Sequence, residues 1–337
     1  MDYDMAQTQS GIKRYEVGVL LYPTSMQSAV FGLKDLLSVA EEYRRQAASP
    51  HWPELRVSFW RTGEDAGQPG LSSRPLHEAL QAAPDVLIVP PCFDALAVDW
   101  RQPALTTGLQ ALHEHGAIMA SACAGSFALA GAGLLDGRKA TTHWRLAKDF
   151  QAMFPLVELV EDELLVDQGD VVTAGGVSAW MDLGLRMIQR VTSASLTMNL
   201  GKFFLVDTGP RRQQYYQLFA PDFSHGDSAV RKLQLWLQER MAQDVSLEEM
   251  AAVARVGERT LQRRFRKALG MTPLQYVQQL RIQRARELLE TSMATVERII
   301  WDVGYEDPSS FRKLFKLATG LTMTEYRARF QPTCMSW

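Results

Sequence analysis

The chain has 337 residues, of which 46% are hydrophobic and 22% charged, and its formal net charge is −2. This is the composition of an ordinary globular protein, and the length suggests two domains. Three cysteines, an odd number, exclude a disulfide framework and indicate a reducing compartment. The polar N-terminus does not resemble a signal peptide, and no stretch reaches the roughly 18 apolar residues of a membrane span. We therefore expect a cytoplasmic protein that does not enter a membrane.

The two parts of the chain differ in charge. From His225 onward there are 18 Lys and Arg against 13 Asp and Glu, a net charge of +5, whereas the preceding residues carry −7. A basic C-terminal domain next to an acidic N-terminal domain indicates a module that binds a polyanion, joined to a domain that does not. The alternative is chance variation in surface charge.

Predicted strands and helices alternate over residues 15–206, after a predicted flexible tail at 1–14. The strands are "YEVGVLLY", "LRVSFW", "DVLIVP" and "AIMASAC", and the helices include "AVFGLKDLLSVAEEYRR" and "PALTTGLQALHEHG". Continuous apolar runs are typical of strands buried in a parallel sheet. We therefore predict an α/β domain with a flavodoxin-like, mostly parallel sheet, and a hairpin that turns at residues 168–170.

A linker is predicted at 207–228, where Pro, Gly and polar residues replace the periodic pattern. The following residues, 229–332, are predicted to be all-helical. Ser246 and Glu249 form a capping box that marks a helix start. Pro273 begins a long helix that would hold the segments on either side of it at a fixed separation.

The helical domain contains an internal duplication. The matched pairs are Phe265 and Phe315, Gly270 and Gly320, Tyr276 and Tyr326 at an offset of 50, and Ser246 and Thr295 at an offset of 49. The second copy therefore has one extra residue in the turn before its second helix. Two helix-turn-helix units, at about 246–269 and 295–318, are suited to two stretches of DNA major groove.

The second helix of the first unit carries a buried stripe of Leu261, Phe265 and Leu269 and polar residues on its other faces. Arg and Gln side chains suit the edges of guanine and adenine, to which they bind in a bidentate manner. The predicted DNA-binding side chains are Arg259, Gln262, Arg263, Arg266, Ser309, Ser310, Arg312 and Lys313. Arg264 and Lys267 are predicted to meet phosphates, and Asp307 to cap the second unit's helix. The alternative, a charged face that only meets solvent, is disfavoured by the duplication.

Four motifs occur at fixed spacing in this segment: "RTLQRRF", "GMTPLQYVQQLRIQRARELL", "VGYEDPSSFRKLFK" and the closing Tyr326-Arg327. The segment, about 110 residues long, resembles the DNA-binding domain of the AraC family of bacterial transcription regulators. The resemblance implies double-stranded DNA and RNA polymerase as partners. It also implies base contacts from Arg259, Gln262, Arg263, Ser309, Ser310 and Lys313. The chain departs from the family at Arg255, where Gly is frequent, and at Gly257, where a Ser usually caps the helix.

Cys123 ends a predicted buried strand and precedes a helix start that is rich in small residues. This is the geometry of a nucleophile elbow, in which the helix dipole lowers the pKa of the thiol. His143 is a candidate partner for acyl transfer. The alternative is a cysteine of the core and a structural histidine.

The segments "CAG" and "GLLDGRKATTHW" resemble the stretch around the reactive Cys and the His of the PfpI-like branch of the class I glutamine amidotransferase-like superfamily. The resemblance covers residues 15 to about 205. It implies a Glu near the thiol, but Ala29 stands at that position. Pro91 has no N–H with which to stabilise an oxyanion, although Cys92 keeps its amide. We therefore predict a catalytically inactive domain in which Cys123 and His143 are vestigial.

The order of the two domains resembles that of the GlxA-like regulators. This implies an N-terminal domain that binds a small effector, an amino acid or a quaternary amine, and that forms a homodimer. The predicted effector-binding residues are Cys92, Cys123, Ala124, His143 and Ser178. The turn at 175–176 is predicted to offer amides to an anion. We expect no metal and no cofactor.

Three functions remain open from the sequence. The leading one is a transcription regulator controlled by a small-molecule effector. The second is a cysteine-dependent hydrolase or amidase-like enzyme fused to a DNA-binding domain. The third is an architectural DNA-binding protein whose N-terminal domain only dimerises.

Overall fold

The computed structural model describes residues 13–47, 49, 51–209 and 211–332. The chain divides into two compact units, Met1–Gln213 and Gln214–Trp337. Residues 1–12 of the predicted tail lie outside the described residues, and Arg14 is already the first residue of a strand. The boundary between the units falls inside the predicted linker 207–228.

The N-terminal unit is built on a twisted layer of strands. These are β1 (Arg14–Leu21), β2 (Glu54–Arg61), β3 (Arg74–Pro75), β4 (Val86–Val89), β5 (Ile118–Ala122), β6 (Lys139–Ala140), β7 (Glu158–Leu159), β8 (Leu165–Asp167) and β9 (Val171–Ala174). Within the described residues the main sheet has the order β3-β2-β1-β4-β5-β9-β8, and β6 pairs with β7. Neighbours in the main sheet run parallel except β8 and β9, which are antiparallel. The mostly parallel sheet and the hairpin at 168–170 are therefore confirmed.

Helices cover both faces of this sheet. They are α1 (Gln27–Ala47), α2 (Pro103–Glu114), α3 (Ser126–Gly131), α4 (Ala147–Met153), α5 (Trp180–Val191) and α6 (Ala194–Phe204). Every residue of β4 is buried, as its uninterrupted apolar run requires when both faces are covered. Helices α1, α5 and α6 share one apolar core with the sheet. Helices α2 and α3 share the core on the other face.

The C-terminal unit is helical throughout its regular structure. Its helices are α7 (Ser228–Arg240), α8 (Leu247–Ala254), α9 (Glu258–Leu269), α10 (Pro273–Thr291), α11 (Val296–Asp302), α12 (Pro308–Thr319) and α13 (Met323–Phe330). The predicted capping box of Ser246 and Glu249 is present. Asp307 accepts hydrogen bonds from two amides at the start of α12, so this predicted cap is confirmed as well.

The duplication is repeated in the packing. Phe265 and Tyr276 meet edge to face with ring centroids 5.5 Å apart, and Phe315 and Tyr326 do the same at 5.5 Å. Each pair belongs to its own apolar core, and α10 contributes its first half to one core and its second half to the other. The long helix therefore connects the two helix-turn-helix units, as predicted.

The turns inside the two helix-turn-helix units differ in length and in backbone conformation. Residues 255–257 separate α8 from α9, whereas 303–307 separate α11 from α12. Arg255 adopts a left-handed conformation with φ 54°, which explains why glycine suits this position. Gly304 has φ +86°, and a Cβ there would lie 2.2 Å from the Ala242 carbonyl oxygen. Only glycine fits that close approach without displacement of the backbone.

Candidate DNA-binding surface and effector pocket

Helix α9 separates a buried stripe from a cationic face. Leu261 and Phe265 are 1% and 0% exposed. Arg259, Arg263 and Arg266 are exposed, and their spacing of i, i+4 and i+7 places them along one face of the helix. The helix begins after Gly257, which makes no side-chain cap. A row of exposed guanidinium groups therefore lies along the helix predicted to enter the major groove.

Arg264 is engaged within the protein. Its Nη2 lies 2.6 Å from Asp227 Oδ1, and its Nε lies 2.8 Å from Oδ2. The hydrogen bonds from Arg264 hold the pKa of Asp227 at about 2. The predicted role of Arg264 at a phosphate is thus replaced by a bidentate pair that ties α9 to the start of α7. Lys267 is exposed, and Gln262 is half-buried beside the cationic row.

Helix α12 presents a second polar face. Ser309 and Lys313 are exposed. The Ser310 hydroxyl donates to the Asp307 carboxylate at 2.5 Å, so its hydrogen serves the cap and only its acceptor sites remain. Arg312 Nη2 lies 2.5 Å from Glu297 Oε1, in an exposed ion pair.

The predicted contacts of the two helices occupy equivalent positions at the offset of 50: 259 and 309, 262 and 312, 263 and 313. The same offset relates Arg266 to Lys316, a residue that the sequence analysis missed although the duplication supplied the signal. Lys316 is exposed. It lines a cleft of about 220 Å³ together with Val296, Arg312, Lys313, Thr322, Met323 and Thr324.

The N-terminal unit has the predicted elbow at Cys123. This residue follows β5 with φ 54°, an uncommon conformation for a residue with a side chain. A Cβ on Gly125 would lie 2.4 Å from the Val89 carbonyl oxygen. Glycine at position 125 is therefore required by the close approach of this turn to the end of β4.

The thiol at the elbow is held in its neutral form. Cys123 is 2% exposed, and burial raises the pKa of its thiol to about 12. The expectation of a pKa lowered by the helix dipole was wrong, because desolvation outweighs the dipole. Burial also raises the pKa of Cys92. Tyr22 lies next to both cysteines, and its hydroxyl donates to the Pro90 carbonyl at 2.6 Å.

These side chains follow β1, β4 and β5, at the carboxyl ends of neighbouring parallel strands. This is where open α/β sheets bind ligands, and it is where the sequence placed Cys92 and Cys123. Ala124 is fully buried beside them.

His143 makes its side-chain hydrogen bond within its own turn. Its Nδ1 accepts from the Arg145 amide at 3.1 Å, and its ring stacks on Trp144. Burial, and then the charge of Arg145, lower the pKa of the imidazole. No hydrogen bond joins His143 to Cys123 in the part of the chain that the structure describes. The neighbouring Thr142 instead donates from Oγ1 to the Cys123 carbonyl at 2.9 Å.

One of the two amides in the glycine turn is engaged within the protein. The Gly175 amide donates to the Leu164 carbonyl at 2.7 Å, so it is not offered to an anion. Ser178 is exposed in the turn before α5. The space above Gly175 is filled by a side chain, because a Cβ there would lie 1.9 Å from Gln213 Nε2.

Gln213 is the residue of this region that the sequence analysis missed. It is 3% exposed. Its Nε2 lies within hydrogen-bond distance of four oxygens. One is the Thr141 hydroxyl at 3.0 Å, and the others are the carbonyls of Thr142 at 2.9 Å, Glu163 at 3.1 Å and Glu161 at 3.3 Å. Its Oε1 accepts from the Trp144 amide at 3.2 Å. The polar, aperiodic stretch around Gln213 carries no pattern that predicts burial.

A larger cleft of about 470 Å³ lies elsewhere in the N-terminal unit, between β8, α5 and α6. Its lining includes Asp182, Leu185, Arg186, Gln189, Met198 and Arg211 and none of the predicted effector-binding residues. Across the described ranges, no three His, Cys, Asp or Glu side chains are arranged to hold a metal ion. Nor do those ranges contain a helix with the length and apolar character needed to cross a bilayer.

Comparisons with known proteins match both units. Residues 250–329 match a helix-turn-helix domain family, and residues 66–190 match the DJ-1/PfpI family. The HTH-type transcriptional regulator CdhR of Pseudomonas aeruginosa is 28% identical over 246 residues, which are 72% of each chain. The regulator ArgR of the same organism is 30% identical over 67% of this chain and 68% of its own. The regulator GlxA of Rhizobium meliloti is 26% identical over 71% of this chain and 74% of its own.

Proposed function

Since the chain belongs to the family of helix-turn-helix transcriptional regulators that carry a DJ-1/PfpI domain before an AraC-type DNA-binding domain, we propose that it regulates transcription under the control of a small effector. The C-terminal unit binds double-stranded DNA through α9 and α12. The effector binds at the carboxyl ends of β4 and β5. The protein acts as a homodimer with RNA polymerase as a partner.

The observation that carries the proposal is the exposed row of Arg259, Arg263 and Arg266 on α9. Guanidinium groups reach both phosphates and the paired acceptors of guanine in the major groove. The buried Leu261 and Phe265 fix which face of the helix they occupy. The equivalent face of α12 carries Lys313 and Lys316, so two similar surfaces are available to two adjacent DNA boxes.

The N-terminal unit is proposed to bind without catalysis. A thiol whose pKa lies at about 12 is protonated at neutral pH and is a poor nucleophile. Ala29, at the position of the expected Glu, is buried and offers no carboxylate. The proposed pocket residues are Cys92, Cys123, Ala124, His143 and Ser178. An effector of the amino-acid or quaternary-amine class is the expectation that follows from the resemblance to GlxA-like regulators.

The proposal is tested by selection of bound DNA. Purified full-length protein is mixed with fragmented genomic DNA at moderate salt, and the retained fragments are sequenced. Two enriched boxes about one helical turn apart are expected, because α9 and α12 read successive major-groove segments. The test variant is Arg259→Ala on α9, and the matched control is Lys232→Ala, which removes an exposed charge on α7. Lys232→Ala should retain the same fragments as the wild type, and Arg259→Ala should lose them. Retention without any enriched motif would contradict a sequence-specific regulator.

A further inference from the structure

The last residue of the N-terminal unit is Gln213, and its side-chain amide is buried against Thr142 and Trp144, the residues on either side of the proposed effector-binding residue His143. The next residues, 214–227, belong to the C-terminal unit and are called the strap here. We propose that Gln213 is the positioning residue through which the state of the effector pocket reaches α9 and α12, which are called the first and second recognition helices here. The inference rests on the proposed function and names the regulation of that site.

On the pocket side, a continuous series of hydrogen bonds reaches Gln213. Thr142 Oγ1 donates to the carbonyl of Cys123, and the carbonyl of Thr142 accepts from Gln213 Nε2, each at 2.9 Å. The Trp144 amide donates to Gln213 Oε1. Residues 142–144 thus lie between the elbow and the Gln213 amide. A ligand that displaces residues 142–144 would break hydrogen bonds at both Nε2 and Oε1 of Gln213. Because this amide is buried, water does not replace the lost bonds, and the loss is costly.

On the other side, the strap begins at the second recognition helix. Gln214 Nε2 donates to the Leu317 carbonyl of α12 at 2.7 Å. Arg286, which is 4% exposed, donates to the carbonyl of Gln217, and its guanidinium lies over the Tyr326 ring at 5.6 Å. A buried guanidinium that loses its acceptor is strongly unfavourable. The first half of the strap is therefore fixed to the second helix-turn-helix unit.

The strap ends at the first recognition helix. The Phe219 ring packs on Tyr276 with centroids 5.3 Å apart. Asp227, the last residue of the strap, holds Arg264 of α9. One segment therefore contacts α12 at its start and α9 at its end. A displacement of Gln213 therefore acts on a segment that, besides α10, contacts both helix-turn-helix units. The separation of α9 and α12 in turn determines which spacing of DNA boxes is bound.

The test measures how readily the strap opens in the full-length protein. Chymotrypsin cleaves after aromatic and leucine side chains, and the strap offers Tyr215, Tyr216, Leu218, Phe219 and Phe223. The variants are Gln213→Leu, which keeps the size and removes the amide, and Thr142→Val, which removes the bond to the Cys123 carbonyl and leaves Gln213 unchanged. The matched control is Gln81→Leu, at an exposed position of the same unit. Circular dichroism melting checks that each variant is folded, and Gln213→Asn replaces Gln213→Leu if the latter does not fold.

Cleavage within the strap is expected to be about tenfold faster in Gln213→Leu and several-fold faster in Thr142→Val, because local opening governs proteolysis. The control should be cleaved at the wild-type rate. Faster cleavage in Gln213→Leu with a wild-type rate in Thr142→Val would overturn the proposal, since Gln213 would then only fill space. Wild-type rates in both variants would overturn it as well.

A DNA readout connects the strap to recognition. With the duplex recovered by the genomic selection, one base pair is inserted between the two boxes. The wild type should lose affinity by about tenfold or more, since each recognition helix is held in register, and Gln213→Leu should lose less. If the wild type retains no DNA, the proposed function fails while the cleavage comparison still decides the coupling. If the wild type binds and both variants keep its spacing preference, the coupling alone fails.

Discussion

Arg264 and Asp227 form a bidentate ion pair between α9 and the N-cap of α7. The same carboxylate accepts from the amides of Ala229 and Val230. Asp227 therefore begins one helix and orients another. Arg264, which the sequence predicts at a DNA phosphate, thus makes a structural contact within the C-terminal unit.

The first prediction concerns pH. The folded-state pKa of Asp227 is about 2, below the unfolded value of about 3.9, chiefly because of hydrogen bonds from Arg264. Its stabilising contribution is therefore present above pH 4 and is lost as the pH falls towards 2. Asp227→Ala should lower the free energy of unfolding at pH 7 by about 1 kcal/mol or more, the typical value of a cap. Urea unfolding should show the difference from wild type shrinking between pH 4 and pH 2. A difference that stays constant over this range would contradict the assignment.

The second prediction concerns base readout. Arg263→Ala should weaken DNA binding by about 1–3 kcal/mol and relax the preference at a single base-pair position. Binding to a set of duplexes with each position changed in turn measures this. Lys232→Ala removes the same charge outside the recognition helices and should leave the preference unchanged. Equal weakening for every sequence would instead make Arg263 a phosphate contact.

The third prediction separates two neighbouring arginines. Arg266→Ala should weaken binding to all sequences and reduce the slope of log K against log salt by about 0.9, because it removes one phosphate contact. Lys316→Ala should do the same in the second unit. Arg264→Ala should leave the slope unchanged, since its guanidinium faces Asp227. A reduced slope for Arg264→Ala would show that the ion pair opens on DNA.

The fourth prediction tests Gly304, in the turn of the second helix-turn-helix unit, against Gly270 as a comparison. Gly270→Ala introduces a side chain at φ +72° with nothing within 4 Å and should cost about 1 kcal/mol of stability. Gly304→Ala adds a clash with the Ala242 carbonyl to the same backbone strain and should cost about 3 kcal/mol or more. Thermal unfolding of both variants measures the difference. Equal losses would mean that the Ala242 segment moves aside freely.

The fifth prediction concerns the elbow. With a pKa of about 12, Cys123 should react with iodoacetamide about a thousandfold more slowly than in the urea-unfolded chain at pH 8, where its pKa is near 8.5. The native rate should rise about tenfold per pH unit. Peptide mass spectrometry distinguishes Cys123 from Cys92 and from Cys334, which lies outside the described residues. Rapid native alkylation with turnover of amides would favour the cysteine-hydrolase alternative.

Local patterns predicted helices and caps because local interactions determine where they begin. The capping box at Ser246 and the long helix α10 depend on residues within a few positions of each other, and the duplication fixed the second unit by comparison with the first. The elbow at Cys123 was also predicted from its neighbours.

Interactions between distant residues were not predictable. Arg264 finds its partner 37 residues away, and Gln213 meets acceptors 50 to 72 residues away, in a stretch without periodicity. The direction of the Cys123 pKa shift depends on how completely distant segments cover the thiol. The residues next to Cys123 in sequence do not reveal this coverage. The partner of His143 was likewise determined by backbone geometry rather than by sequence spacing.

The two separate cores along α10 have an evolutionary consequence. Phe265 and Phe315 belong to different apolar cores, so a substitution on the exposed face of α12 should leave the packing around Phe265 intact, and one on α9 should leave the packing around Phe315 intact. If α9 and α12 each read one DNA box, the preference of either helix is free to diverge while the other is retained. New binding sites can arise by single steps, none of which requires the loss of a folded domain.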